Sequence, residues 1–322
     1  LLGGLPGAKM VHALAVDPSG TVYAGVSPGG AIYKIPPGKT PAFVCSTGTR
    51  YVWALTFTGE GELYAATGGA GKILNISPDG KIREVGSSSD EHIVSLVSGT
   101  DGGLYAGTEG SGLVYRISRE GRMQVLYDSP GKEVRGLALS RRGVLFAGSM
   151  TGSLRLVEGK NKPQSSRSGN QGSGEGSDLY RISRSGSVLH LWASDQPLLL
   201  SMLIDEEDNL LVATGDRGIL YRVRTDGEAA VVTRFEEGPP LVLVKGSPGE
   251  VFIGAGSSGK VFRMSKEAET EGSLTSHRYD FGTTARWGKV SWRAGLHVGT
   301  AVVLQTRSGN VESSDEGWSG WS

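Results

Sequence analysis

The chain has a single cysteine, Cys45, in 322 residues. No internal disulfide can form, and cysteine usage leaves the redox compartment open. Charge of one sign is also missing: Lys plus Arg and Asp plus Glu are each 33. That balance gives no electrostatic footprint for DNA, RNA or an anionic membrane surface, so nucleic acid is not an expected partner. No apolar run reaches the roughly 18 residues of a membrane-crossing helix, which argues against membrane insertion. Leu1 to Lys9 lacks the basic and long apolar regions of a secretory signal. Helical periodicity is absent throughout, and so is a Gly-x-Ser-x-Gly elbow, which removes one route to a nucleophilic serine.

What is abundant is glycine, 51 residues, roughly twice the usual share and concentrated in turns between apolar runs. Those runs repeat. An aromatic slot recurs at Tyr23, Tyr64, Tyr105 and Phe146, each 41 residues after the last, and resumes at Leu211 and Phe252. The step from Phe146 to Leu211 is 65 residues, one period with an insertion of 24. Leu14, Leu55, Leu96, Leu137, Met202 and Leu243 keep the same count, as do Gly30, Gly71, Gly112, Gly218 and Gly259.

Each repeat reads as four short strands, a to d. In the first they are Val11 to Val16, Thr21 to Val26, Ala31 to Ile35 and Pro41 to Ser46, separated by turn residues such as Asp17-Pro18-Ser19-Gly20. Four strands per unit of about 40 residues predict an all-β chain and a β-propeller, each unit being one blade. Six sets of strands a, b and c are present, with five d strands. Leu1 to Leu5 falls in register with Ala42 to Ser46, which predicts six blades closed by the N-terminal strand, with seven as the alternative. The propeller is expected to span residues 1–264. The Gly- and Ser-rich insertion near 154–178 reads as a surface loop on the face where partners sit. After Met264 the slots are lost, and 265–322 reads as a short C-terminal β module. It ends in Trp318-Ser319-Gly320-Trp321-Ser322, with Arg307 placed to stack on a tryptophan. Because the chain begins and ends in strand-like sequence, it reads as a mature product or a fragment.

The segment Gly103-Leu104-Tyr105-Ala106-Gly107-Thr108, followed by Gly112 and Tyr115-Arg116-Ile117, resembles bacterial propellers of the broad NHL, quinoprotein-repeat and WD40-like group over residues 1–264. No Trp-Asp dipeptide ends a blade, so true WD40 repeats are disfavoured. The resemblance implies a propeller fold and a range of roles: scaffold, glycan binder, lyase or lactonase.

A propeller varies most freely at its rim, where each strand a begins. The ligand-binding candidates there are His12, Tyr51, Trp53, His92 and Arg135, the aromatics offering flat faces and the others hydrogen bonds. His12, His92 and Glu133 alone among the rim residues have metal-ligating chemistry, and they come from different blades, so no metal and no cofactor is expected. Asp205-Glu206-Glu207-Asp208-Asn209 lacks EF-hand spacing and reads as a solvated turn. Cys45 sits in an apolar strand with no histidine beside it. The expected function is therefore a non-catalytic binding or scaffold propeller. It would be bacterial and extracytoplasmic, taking a protein or carbohydrate ligand on the face with the b–c and d–a loops. The competing expectations are a metal-dependent propeller lyase or lactonase and a structural domain of a larger surface protein.

Overall fold

Short apolar runs with period two cannot bury a face alone, and here they pair into successive antiparallel meanders. The computed structural model describes residues 5, 7–151, 176–215, 217–236, 238–256, 259–265, 271–273, 275–276, 279, 282, 288–296, 298–309 and 317–322. The chain divides into two compact units, Leu1–Ala268 and Glu269–Ser322.

The first unit is a β-propeller. Its first blade is β1 (Met10–Val16), β2 (Val22–Ser27), β3 (Ala31–Ile35) and β4 (Ala42–Ser46). The second is β5 (Tyr51–Phe57), β6 (Leu63–Gly68), β7 (Lys72–Ile76) and β8 (Ile82–Ser87). The third is β9 (His92–Ser98), β10 (Leu104–Glu109), β11 (Leu113–Ile117) and β12 (Met123–Asp128). The fourth is β13 (Glu133–Leu139), β14 (Leu145–Met150), β15 (Ser177–Ile182) and β16 (Val188–Ser194). The fifth is β17 (Leu199–Ile204), β18 (Leu210–Thr214), β19 (Ile219–Val223) and β20 (Ala229–Arg234). The sixth has three strands among the described residues, β21 (Pro240–Lys245), β22 (Val251–Ala255) and β23 (Val261–Met264). The segment expected to close the ring, Leu1–Leu5, lies outside the described residues except for Leu5. Most of the expected insertion lies outside them too, and its last two residues, Ser177 and Asp178, open β15.

The core lies between blades. On the first blade Ala13, Ile32 and Cys45 meet Val52, Leu55, Leu63, Ala65 and Leu74 of the second, and Tyr23 meets Phe57 edge-on at 5.2 Å. Each fully buried aliphatic side chain in such a layer contributes about 1.5–3 kcal/mol. Strand b of one blade approaches strand a of the next so closely that one slot must be small. A Cβ at Gly107 would overlap the Val134 carbonyl and sit 2.5 Å from Ser95 Oγ. Polar bridges add to the packing: Ser95 Oγ donates to Val134 O at 2.8 Å, and Leu243 N donates to Ser201 Oγ at 3.1 Å.

One slot also builds the turns at the opposite end. Asp17 Oδ1 accepts from Ser19 N and Thr21 N, and Asp205 Oδ1 accepts from Glu207 N and Asn209 N, all at 2.9 Å. The acidic run 205–208 therefore starts from a carboxylate that holds its own turn, and Asp205 itself is largely buried, with Oδ2 3.4 Å from Arg222 Nε, whereas the sequence reading expected a solvated turn.

In the second unit the described residues form no extended strand. The one bridge is Gly309–Trp318, continued by Thr306 N donating to Ser322 O at 2.9 Å. On this frame the Arg307 guanidinium lies 5.3 Å from the Trp318 ring and 4.6 Å from Trp321. The expected stacking is present on both tryptophans.

Candidate functional site

The rim candidates share a structural cause that the sequence pattern did not reveal. Where strand a pairs with strand b, the register skips one residue in every blade: His12, Trp53, Val94, Arg135, Leu200 and Leu241. Each is a β-bulge residue, and a bulge re-aims its side chain away from the regular alternation. Three of the five candidates therefore occupy one geometric slot. Tyr51 and His92 begin β5 and β9 two residues and one blade away, and Glu133 begins β13 in the equivalent place.

All five candidates come together. Tyr51 stacks on Trp53 with centroids 4.8 Å apart and planes 18° from parallel. The His12 ring lies 4.5 Å from Trp53 and 6.1 Å from Tyr51. Trp53 Nε1 donates to His92 Nδ1 at 3.1 Å, which places the proton of a neutral His92 ring on Nε2. Arg135 lies 5.9 Å from the Trp53 ring centre, and Arg50, which the sequence reading passed over, lies 5.2 Å from Tyr51. Gly68 makes room for this arrangement, since a Cβ there would collide with both Trp53 Nε1 and His92 Nδ1. Single bridges at the ends of strand b, Gly68–His92 and Glu109–Glu133, tie neighbouring blades together beside the cluster.

Glu133, read from sequence as an ordinary rim residue, is instead buried at 1% exposure. Arg135 Nη2 stands 2.5 Å from its Oε1 as an ion pair. By hydrogen-bond geometry, however, both Glu133 oxygens, Arg135 Nε and His12 Nε2 have no partner among the described residues. Buried polar atoms are rarely left so, and these four lie on groups at one rim. Burial first, and then the Glu109 charge, push the Glu133 carboxyl above its usual range, with Arg135 opposing. Burial and then the Arg135 charge hold the His12 imidazole below its usual value. The rim thus combines a histidine biased to the neutral base, a carboxyl biased toward the acid and a guanidinium between them in charge logic.

Among the described residues no three His, Cys, Asp or Glu side chains are grouped to hold an ion. Cys45 is buried and its thiol is pushed up to about 11 by that burial, which makes it a packing residue.

Comparison with known proteins adds the fold. No family model matches the chain, and no curated protein matches it in sequence. Solved propellers do match in shape. Virginiamycin B lyase from Staphylococcus aureus is 15% identical, with 80% of this chain and 85% of that one covered and a TM-score of 0.59. A gluconolactonase from Xanthomonas campestris is 14% identical, with 80% and 86% covered and a TM-score of 0.58. The WD40 β-propeller domain of Doa1 is 12% identical, with 81% and 80% covered and a TM-score of 0.63. At these identities the likeness establishes the propeller fold. Among the described residues no helix is long and apolar enough to cross a membrane.

Proposed function

We propose that the rim over blades one to four is a small-molecule site and that the chain is a propeller enzyme of the lyase or lactonase class, working by acid–base chemistry. The observation that carries this reading is the buried Glu133 carboxyl, ion-paired with Arg135, whose charge also acts on a neutral-biased His12. Perturbed titratable groups gathered at a ring mouth are what proton transfer needs. His12 would take a proton from the substrate or from attacking water. Arg135 would stabilise the developing negative charge, and Glu133 would return a proton to the leaving oxygen. The Tyr51–Trp53 stack would orient the substrate. The structural likeness to a lyase and a gluconolactonase supports this class over the non-catalytic binder expected from sequence.

The second reading keeps the same residues as a recognition surface for a protein or carbohydrate, and the aromatic stack is the observation that favours it. The narrower likeness to NHL and quinoprotein-repeat propellers, and an extracytoplasmic setting in a bacterium, belong to this proposal as well. Screening lactones and cyclic esters with the wild type, His12→Ala and Glu133→Gln separates the readings. Turnover lost in both variants supports the enzyme. Binding without turnover in all three supports the recognition surface.

A further inference from the structure

At the end opposite the mouth, the repeat pairs arginines with carboxylates, and blade four breaks the pattern. Strand c carries Arg116, Arg181, Arg222 and Arg263 in one slot. Arg116 Nη2 lies 2.9 Å from Asp101, Arg222 Nε 3.4 Å from Asp205 and Arg263 Nη1 3.4 Å from Glu250, each acid lying between strands a and b of the same blade. The turn between strands c and d carries Arg119 and Arg184 in another slot, and Arg119 Nη2 lies 2.7 Å from Glu60 of the preceding blade. In blade four the a–b turn is Ser140-Arg141-Arg142-Gly143, with Arg142 standing where blades two, three and five have Glu60, Asp101 and Glu207. Arg181 thus has no acid in its own turn, and the acid that would match Arg184, Asp101, is already held by Arg116. Arg141, Arg142, Arg181 and Arg184 make no ion pair among the described residues, in a chain whose formal charges sum to zero.

Between blades three and four this excess borders a cleft of about 170 Å³ lined by Thr100, Tyr105, Arg116, Leu139 and Arg184. The Arg184 guanidinium is seated against Gly143, where a Cβ would collide with its Nε and stand 2.7 Å from Cζ. At the corresponding Gly102 only Cγ and Cδ of Arg119 come near, at 3.9 and 3.7 Å, since that guanidinium reaches out to Glu60. Asp101 is the one carboxylate in the lining, and Arg116 and the Gly103 N–H donate to its two oxygens.

We propose that this cleft binds the phosphoryl group of a small molecule, at a site separate from the mouth. Arg184 and the remaining N–H groups of Arg116 supply charged donors in planar sets, and Thr100 and Tyr105 supply hydroxyls. That is more donors than the two oxygens of a carboxylate use, and it suits a tetrahedral group with three terminal oxygens. Arg141, Arg142 and Arg181 add to the positive potential that draws an anion in.

Calorimetric titration of the full chain with inorganic phosphate, at an ionic strength held fixed with chloride, tests this. Saturable binding of one phosphate per chain is expected, and Arg184→Gln should weaken it at least about tenfold through loss of charge-assisted hydrogen bonds. Arg119→Gln, in the same slot but neutralised by Glu60, should leave the affinity unchanged. Both side chains are exposed, so each variant should melt as the wild type does. A wild type that binds no phosphate overturns the proposal. Equal affinity in Arg184→Gln also overturns it, because the anion then sits elsewhere. Acetate bound as tightly as phosphate overturns it too, since the cleft then has no preference for a phosphoryl group.

Discussion

The ring mouth has two unlike halves built on one backbone device. In blades one, two and four the bulge slot holds His12, Trp53 and Arg135, and these meet Tyr51, His92 and Glu133. In blades five and six the same slot holds Leu200 and Leu241, preceded by Leu198 and Pro239. The bulge is therefore a property of the blade, and the chemistry is an addition to some of its copies. The surroundings of the slot differ between copies, since Val94 and Leu200 are buried at 4% and 8% exposure whereas Leu241 is 48% exposed, so its chemistry is set blade by blade.

The largest effect is expected where mouth and interior are contrasted directly. Gly107→Val drives a branched side chain into the Val134 carbonyl and should cost on the order of 3 kcal/mol or more, seen as lost cooperative melting. Normal melting would mean the inner strands do not approach so closely. Next in size, Trp53→Ala or Arg135→Ala should weaken any ligand or lower turnover at least about tenfold, roughly 1.4 kcal/mol, with melting nearly unchanged. Leu241→Ala, in the same slot of blade six, should leave both readouts unaltered. An equal loss from Leu241→Ala would erase the distinction between the halves.

The acid–base groups sharpen the comparison through pH. Glu133 has a folded-state value raised above its unfolded one by burial. The folded form thus holds its proton more tightly, and stability falls as pH rises from about 4.5 through the raised value. Glu133→Gln removes that dependence, so its melting temperature relative to wild type should climb over this window and level off above it. His12 works in the opposite sense: its lowered value means that stability falls as pH drops from about 6.5 through the folded value. His12→Asn should flatten that decline. Variants whose melting curves run parallel to wild type at every pH would show that neither environment perturbs its group. The smallest effect lies in the second unit. Arg307→Lys gives up a planar stack on Trp318 and Trp321, and should cost about 0.5–1 kcal/mol of local order there, read from tryptophan fluorescence.

Much of this is legible in the sequence. Period and slot chemistry placed strands a to d within one or two residues, as in Ala31–Ile35, and picked the five rim candidates, because turn glycines and period-two apolar runs are local signals. Glu133 was misjudged. It pairs with Glu109 of the preceding blade and with Met150 of its own, neighbours that local pattern cannot register. The groups on which the proposed function rests were hidden for a related reason: bias toward acid or base arises from burial and from the charges of Arg135 and Glu109, which only packing brings near.

Repeat length, turn chemistry and slot size thus determined from sequence alone that this chain folds as successive four-stranded blades. Tertiary structure alone decided that one residue per inner strand is bulged, that Glu133 is buried against Arg135, and that Leu14 and Val261 are exposed. Each of these depends on what stands opposite a side chain after blades assemble. Identical slots in a repeat acquire different environments only through their neighbours in space.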